Sequence, residues 1–310
     1  MNETICPDCR GKNIIQYGRR NTKQVFFCKD CKKKFATSGL KHKTYSPKVI
    51  TNAITYYNLG KTLEESVNQV NKRFKVHVSK SSLHSWIAEF SDICTYKNLR
   101  SDIVKKYKHQ IIPEYSFLHN GLTYNFRYHI PKVERINGSF HNLVSYLKDM
   151  DNNCPSKIFQ QGKRCSQHQL DIKISKSDYY NHACRLAALA LTACTNNKKR
   201  HETVETFMLC NDSSTIACEI PVWFWEKNLD WSICGHIDIL QVRKGRIYIL
   251  DFKPNAHKEN ERKVASQLFH YASGLSFRTD IPLSKFRCAW FDEHIYYEFD
   301  PNLAKVKLKG

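Results

Sequence analysis

Apolar residues recur along this chain with two different spacings, and each spacing predicts a different kind of element. Val49, Ile50, Ala53, Ile54 and Tyr57 lie on one face of a helix. Ser46-Pro47 opens that helix with a capping side chain and a first-turn proline, and Gly60 ends it. Thr62-Leu-Glu-Glu65 is a capping box for a second helix with Leu63, Val67 and Val70 inward. Val76-His-Val78 is a short connection, after which Ser79 caps a third helix with Leu83, Trp86, Ile87 and Phe90 on its apolar face. Residues 177–196, with Tyr180, Ala183, Leu186, Ala187, Ala190 and Leu191, predict a buried amphipathic helix. Ile233–Val242 and Arg246–Lys253 read instead as strands, joined by the turn signal Arg243-Lys-Gly245-Arg246.

The cysteines add a module ahead of the first helix. Cys6-Pro-Asp-Cys9 and Cys28-Lys-Asp-Cys31 are two knuckles that match the four-thiolate zinc pattern. Each knuckle brings two sulfurs into one tight turn, and the stretch between them reads as a hairpin. About forty residues hold too little core to fold unaided, so zinc would supply much of the folding energy. The site would be closed and structural.

Charge sharpens the picture. Lys plus Arg number 49 against 29 acids, a net of +20, which points to an anionic partner, with nucleic acid the leading class. Residues 1–100 hold 19 basic and 7 acidic residues, a net of +12, so the front carries more than half of the excess. Arg10, Arg19, Arg20 and Lys32 to Lys34 decorate the ribbon. At the start of the third helix Lys80, Ser81, Ser82, His84 and Ser85 are small, polar or basic, as a recognition helix in a major groove requires. The bland reading is a helical bundle with a solvated face. Residues 97–175 carry no assignable chemistry; Cys154, Cys165 and His168 fit no standard metal spacing. No apolar run reaches the ~18 residues of a membrane span. The first residues do not resemble a secretory signal. A cytoplasmic, nucleoid-associated protein is therefore expected, with no membrane partner; a homodimer is compatible with this.

The strongest catalytic signal lies at residues 233–253. If Lys244 and Gly245 form a two-residue loop, Arg243 faces Arg246 and, counting outward, Asp238 faces Asp251 and His236 faces Lys253. Carboxylates directly opposite in a sheet repel, and a pair at about 5 Å suits a hard divalent cation such as magnesium or manganese. Lys253 shares their face. A three-residue loop would shift this register, and an edge hairpin with exposed acids is the plain alternative.

Two resemblances attach to these residues. The front, from Cys6 through Trp86-Ile87, resembles the zinc ribbon and helix-turn-helix with which insertion-sequence transposases recognise element ends, which implies DNA binding. Gly235-His-Ile-Asp238 followed by Asp251-Phe-Lys253 resembles the signature of the PD-(D/E)XK nuclease superfamily, nearest its RecB-like members, and Gln267-Leu-Phe-His-Tyr271 matches their Gln-x3-Tyr helix. That resemblance spans about residues 178–300, with strands near 203–224 and a last one near Phe286–Phe291. It implies Asp238 and Asp251 as magnesium or manganese ligands and Lys253 as the catalytic lysine. Gln267 and Tyr271 would touch DNA or order the site. An additional acid is Glu219, with Glu205 the second choice, and an upstream helical histidine is His182; each has a plain reading as a surface or packed residue.

The expected architecture is multidomain α/β: a zinc ribbon at 1–40, a helix-turn-helix domain at 44–95, a linker or uncharacterised region at 96–176, and at 177–310 a restriction-endonuclease-like core with a mixed central sheet. The expected function is metal-dependent DNA cleavage, of an endonuclease in mobile-element, defence or repair systems. The alternatives are a regulator of transcription or transposition with an inactive nuclease fold, and a RecB-like exonuclease that processes ends.

Overall fold

The computed structural model describes residues 6, 9, 11–20, 23–36, 43–95, 99–100, 111–119, 121–167, 169–226 and 231–307. The fold is mixed α/β. At the front, β1 (Ile14–Arg20), β2 (Lys23–Cys28) and β3 (Lys34–Ala36) form a small antiparallel sheet beside the paired knuckles. Among the described residues its apolar centre is Cys6 and Cys28 with Ile14, Phe26 and Cys31, a small core for burial alone to hold.

Three helices follow: α1 (Pro47–Asn58), α2 (Leu63–Phe74) and α3 (Lys80–Glu89). Their caps are those the sequence specifies. The Ser46 side chain accepts from the Val49 amide, Thr62 and Glu65 close a reciprocal box, and the Ser79 side chain accepts from the Ser82 amide. Lys75, at a φ of 52°, ends α2 in the left-handed conformation.

The stretch expected as a linker or uncharacterised region supplies four strands and a helical layer: β4 (Glu114–His119), β5 (Leu122–Tyr128), α4 (Ile130–Arg135), α5 (His141–Lys148), α6 (Met150–Asn153), α7 (Ser156–Gln161), β6 (Lys163–Arg164) and β7 (Asp171–Lys173). Then come β8 (Lys176–Tyr179), α8 (His182–Thr192), α9 (Arg200–Asn211), β9 (Thr215–Glu226), β10 (Trp231–Arg243), β11 (Arg246–Phe252), α10 (Glu261–Thr279), β12 (Phe286–Phe291), β13 (Tyr296–Phe299) and β14 (Lys305–Lys307). The large sheet runs β4-β5-β9-β10-β11-β12-β13-β8, and β6 lies beside one end of β10. The β11–β12 and β10–β6 pairs are parallel and the others antiparallel, so the sheet is mixed, as expected.

Two local expectations change. Residues 203–211, expected in a strand, belong to α9. Their β-branched Thr203, Val204 and Thr206 suggest a strand, but buried Val204, Phe207, Met208 and Asn211 fall at helical spacing and face a core. The helix expected over 177–196 is shorter, because residues 176–179 pair with β13 at the sheet edge and Asn181 caps α8 by accepting from the Ala183 amide.

The sheet separates two cores. One gathers Ile220, Ile233, Ile237, Ile247, Ile249 and Cys288 with Leu268, Tyr271 and Leu275 of α10. The other joins Ile239, Leu250, Phe252 and Phe291 to α8 and α9, and continues without interruption into α1, α2 and α3. The three-helix unit is thus packed onto the α/β body. Buried Asn58 donates from Nδ2 to Asn211 Oδ1 at 2.7 Å, and Asn211 Nδ2 donates to Thr55 Oγ1 at 3.0 Å. No helix among the described residues is long and apolar enough to cross a membrane.

Candidate metal centres

The four ribbon cysteines converge, with their sulfurs all within 4.8 Å of one another. Cys6 Sγ lies 3.6 Å from Cys31 Sγ, and Cys9 Sγ lies 3.5 Å from Cys28 Sγ. These separations are far beyond a disulfide bond. A tetrahedral zinc with Zn–S bonds near 2.3 Å requires sulfur separations of about 3.8 Å, so the donor set fits that ion. Each close pair joins one cysteine from each knuckle, and the Gly11 amide donates to Cys9 Sγ at 3.4 Å.

The second cluster grows from the β10–β11 hairpin. Lys244 and Gly245 form the two-residue loop, both in the left-handed region with φ of 50° and 68°. Register then follows the sequence arithmetic through Arg243↔Arg246, Val242↔Ile247, Gln241↔Tyr248, Leu240↔Ile249 and Ile239↔Leu250. Asp238 and Asp251 are the next positions outward. The expected facing of His236 and Lys253 does not continue the series. β11 ends at Phe252, the Lys253 amide donates to Phe291 O at 2.9 Å, and His236 turns to other partners.

On its other side β10 pairs with β9, with Ile237 opposite Ile220 and Ile239 opposite Cys218, so Asp238 stands opposite Glu219. Glu219 has a φ of 53°, a costly conformation for a non-glycine residue. Both strands change cores here: Ile237 and Ile220 join the α10 side, Ile239 and Cys218 the α9 side. Three acids, Glu219, Asp238 and Asp251, therefore occupy a row across three adjacent strands at a break in side-chain alternation.

Helix α9 completes the row from one side. His201 Nε2 is 3.3 Å from Asp238 Oδ2 and 4.0 Å from Asp251 Oδ1, while its Nδ1 is 2.7 Å from Glu205 Oε1. Glu205, four residues on, shares its helical face, is 2% exposed, and meets Arg127 Nη2 at 3.5 Å. His182, the histidine expected at the acids, opens α8 instead; its Nε2 is buried with no hydrogen-bond partner and no described contact joins it to them. His201 was legible only as half of an i, i+4 pair with Glu205, and the strand expected there hid that spacing.

Electrostatics mark the cluster as strained without a cation. Burial, then the charge of Asp238, push Asp251 up to about 8, although Lys253 opposes the shift. Burial also raises Asp238, against the pull of His201. Burial and Glu205 push Glu219 up to about 8. Burial lowers His201, but Asp238 and Glu205 outweigh it and hold the imidazole up to about 10. Burial likewise opposes Lys253, whose ammonium is nevertheless held above its usual range by Asp251, 2.8 Å away. Asp251 is 1% exposed, and neither of its carboxylate oxygens has a well-aligned hydrogen bond. A buried carboxylate held by one lysine, beside a second carboxylate and an imidazole, has the donor chemistry of a metal site, and the ligand atoms of His201, Asp238 and Asp251 lie within 4.8 Å of one another.

Gln267 and Tyr271 support the site from α10. Gln267 Nε2 donates to Tyr271 Oη at 2.9 Å, and Tyr271 is 5% exposed. The tyrosine ring lies against Gly235, where an added Cβ would come 2.6 Å from Tyr271 Cε1. Gly235 thus admits the ring that fixes β10 three residues before Asp238.

On α3, Lys80, Ser81, His84 and Ser85 are exposed and Ser82 is half-buried at the cap. Lys80 Nζ is 3.6 Å from Glu64 Oε2 in an exposed pair that does little to hold either group. Arg19 and Arg20 close β1, but their side chains lie outside the described residues, as do Arg10 and His168. Compared with known proteins, the chain matches no family model, no curated protein and no solved structure.

Proposed function

We propose that the protein is a metal-dependent DNA nuclease, brought to its substrate by the ribbon and the helix-turn-helix. The observation that carries this reading is the convergence of His201, Asp238 and Asp251 with Lys253 on Asp251. A magnesium or manganese ion held by His201, Asp238 and Asp251 would lower the pKa of an attacking water and offset phosphate charge. Every other part belongs to the chain. Glu205 takes the Nδ1 side of His201 and so aims Nε2 at the aspartates, the usual way a histidine ligand is oriented. Glu219 adds a third carboxylate to the row and can order water there. Lys253, with its side chain 24% exposed, keeps its ammonium at the solvent side of Asp251, where it can donate to water or to a phosphate oxygen as charge develops. Tyr271 and Gln267 keep the strand in place from behind.

The basic front gives these acids an anionic substrate. The exposed polar start of α3 has the chemistry of groove and phosphate contacts, and α3 packs on the same core as α9, so docking would be transmitted to the site through that shared core. The test is incubation of linear and closed circular DNA with magnesium or manganese, beside Asp251→Ala. Metal-dependent cleavage by the wild type alone is expected. Absence of cleavage with both ions would leave a DNA-binding regulator. Cleavage restricted to linear DNA would indicate end processing.

A further inference from the structure

Strand β10 changes partners beside the acids. β11 pairs with Ile239–Arg243, and β6 pairs with Ile233 and Cys234. In the described ladders Gly235, His236 and Ile237 are paired on the β9 side only. Asp251 and Lys253 border this gap at one end and Arg164, opposite Cys234, at the other. Splits of this kind are where open sheets hold ligands.

Arg164 is half-buried, and its Nη2 donates to the Tyr124 hydroxyl. Its guanidinium carbon is 6.0 Å from the centroid of the Tyr124 ring. Among the described residues no carboxylate lies within ion-pair distance of it. The other cations of the site are engaged, Lys253 by Asp251 and His201 by Asp238 and Glu205. The brace behind Arg164 is a stack of rings. Tyr124 lies flat on His236, with ring centroids 3.6 Å apart and planes within 5°, and His236 Nε2 is 2.7 Å from His119 Nδ1. Arg164 is therefore seated on a stack of rings rather than on a carboxylate.

We propose that Arg164, braced by Tyr124, is a phosphate-binding residue that grips the nucleic-acid strand beside the scissile phosphate. The proposal rests on the nuclease reading and adds a substrate contact to it. Cys234, opposite Arg164, and Asp238 are four residues apart, about 13 Å along the strand, so the contact proposed for Arg164 is to a phosphate flanking the one at the acids. Its planar fork matches two phosphate oxygens in a way a lysine cannot. Arg164 is thus a positioning residue.

The experiment compares the wild type with Arg164→Ala and Arg164→Lys in two measurements. DNA binding is titrated against salt without added divalent ion, and cleavage is followed across DNA concentrations with magnesium or manganese. Arg164→Ala should bind roughly tenfold more weakly, as loss of a charged hydrogen bond predicts. Its slope of log affinity against log salt should fall by about 0.7 to 0.9, the share of one phosphate contact. Its KM for cleavage should rise by a similar factor. Arg164→Lys should restore the slope and only part of the affinity, which a merely structural arginine would not do. Unchanged affinity and slope in Arg164→Ala, with a wild type that cuts, would overturn this inference and leave the nuclease reading standing. A wild type that does not cut would overturn both.

Discussion

The sharpest consequence of the acid row concerns stability. Asp251→Asn should abolish metal-dependent cleavage and at the same time stabilise the metal-free protein. Asp251 is 1% exposed and its carboxyl is pushed up to about 8, whereas an unfolded aspartate titrates near 3.9. Between those values the folded state holds a proton that the unfolded state has released. The contribution is therefore fully present below about pH 4 and is lost as pH rises through about 8. At pH 7 the gap is about three units, and at about 1.4 kcal/mol each the ceiling is near 4 kcal/mol. Asparagine is neutral at every pH and escapes this cost. Lys253 loses a partner but, at 24% side-chain exposure, keeps access to water. A net gain of about 2 kcal/mol, or roughly 5 °C in Tm, is expected. The assay is thermal unfolding of both proteins from pH 5 to pH 8, with and without magnesium. The advantage of the variant should grow with pH, and magnesium should raise the Tm of the wild type alone, because binding stabilises only a protein that retains the site. A variant less stable than the wild type at pH 8, or an advantage independent of pH, would refute the reasoning.

Further outcomes follow from other groups. His201→Ala should reduce metal-dependent cleavage at least tenfold, the lower end for disturbing a metal shell, while His182→Ala should not; the reverse result would return the role to α8. Cys28→Ser should release zinc, measured by a colorimetric chelator, and weaken DNA binding with the α/β body still folded; unchanged affinity would remove the ribbon from the docking surface. His129 is fully buried, both ring nitrogens lack partners, and burial, with Lys132 behind it, pushes its pKa down to about 2. The folded protein then refuses a proton that the unfolded chain takes up near 6.5, so stability falls with pH, by about 2 kcal/mol between pH 7 and pH 5. His129→Phe should remove that part of the pH dependence, and parallel unfolding curves for the two proteins would count against it.

Much of the site was legible because its signals are local. Two CxxC knuckles need only tight turns to pair their sulfurs, and a Lys-Gly loop fixes a hairpin register by counting, which brought Asp238 to the position of Asp251. Helix caps at Ser46, Thr62 and Ser79 are likewise written within four residues of each helix start. Lys253 was assigned to the shared face by period two, yet it reaches Asp251 from beyond the end of β11. What the sequence could not show depends on which elements meet. His201 is an ordinary i, i+4 partner of Glu205 until α9 packs across the sheet at Asp238. Glu219 could be named as a strand acid, but its place in the row follows from the β9–β10 register and its left-handed backbone. Residues 111–164, which carry no motif, complete the sheet through β4 and β5 and set Arg164 at its split. By itself, then, the sequence determined the four cysteines and the two opposed aspartates of the candidate metal centres and the basic, capped helices at the front, since turns, caps and short registers are properties of neighbouring residues. Only the tertiary structure decided which histidine joins the acids, where the ring stack behind Arg164 stands and how the helices share a core, because those contacts close loops of tens to more than a hundred residues whose partners no local pattern encodes.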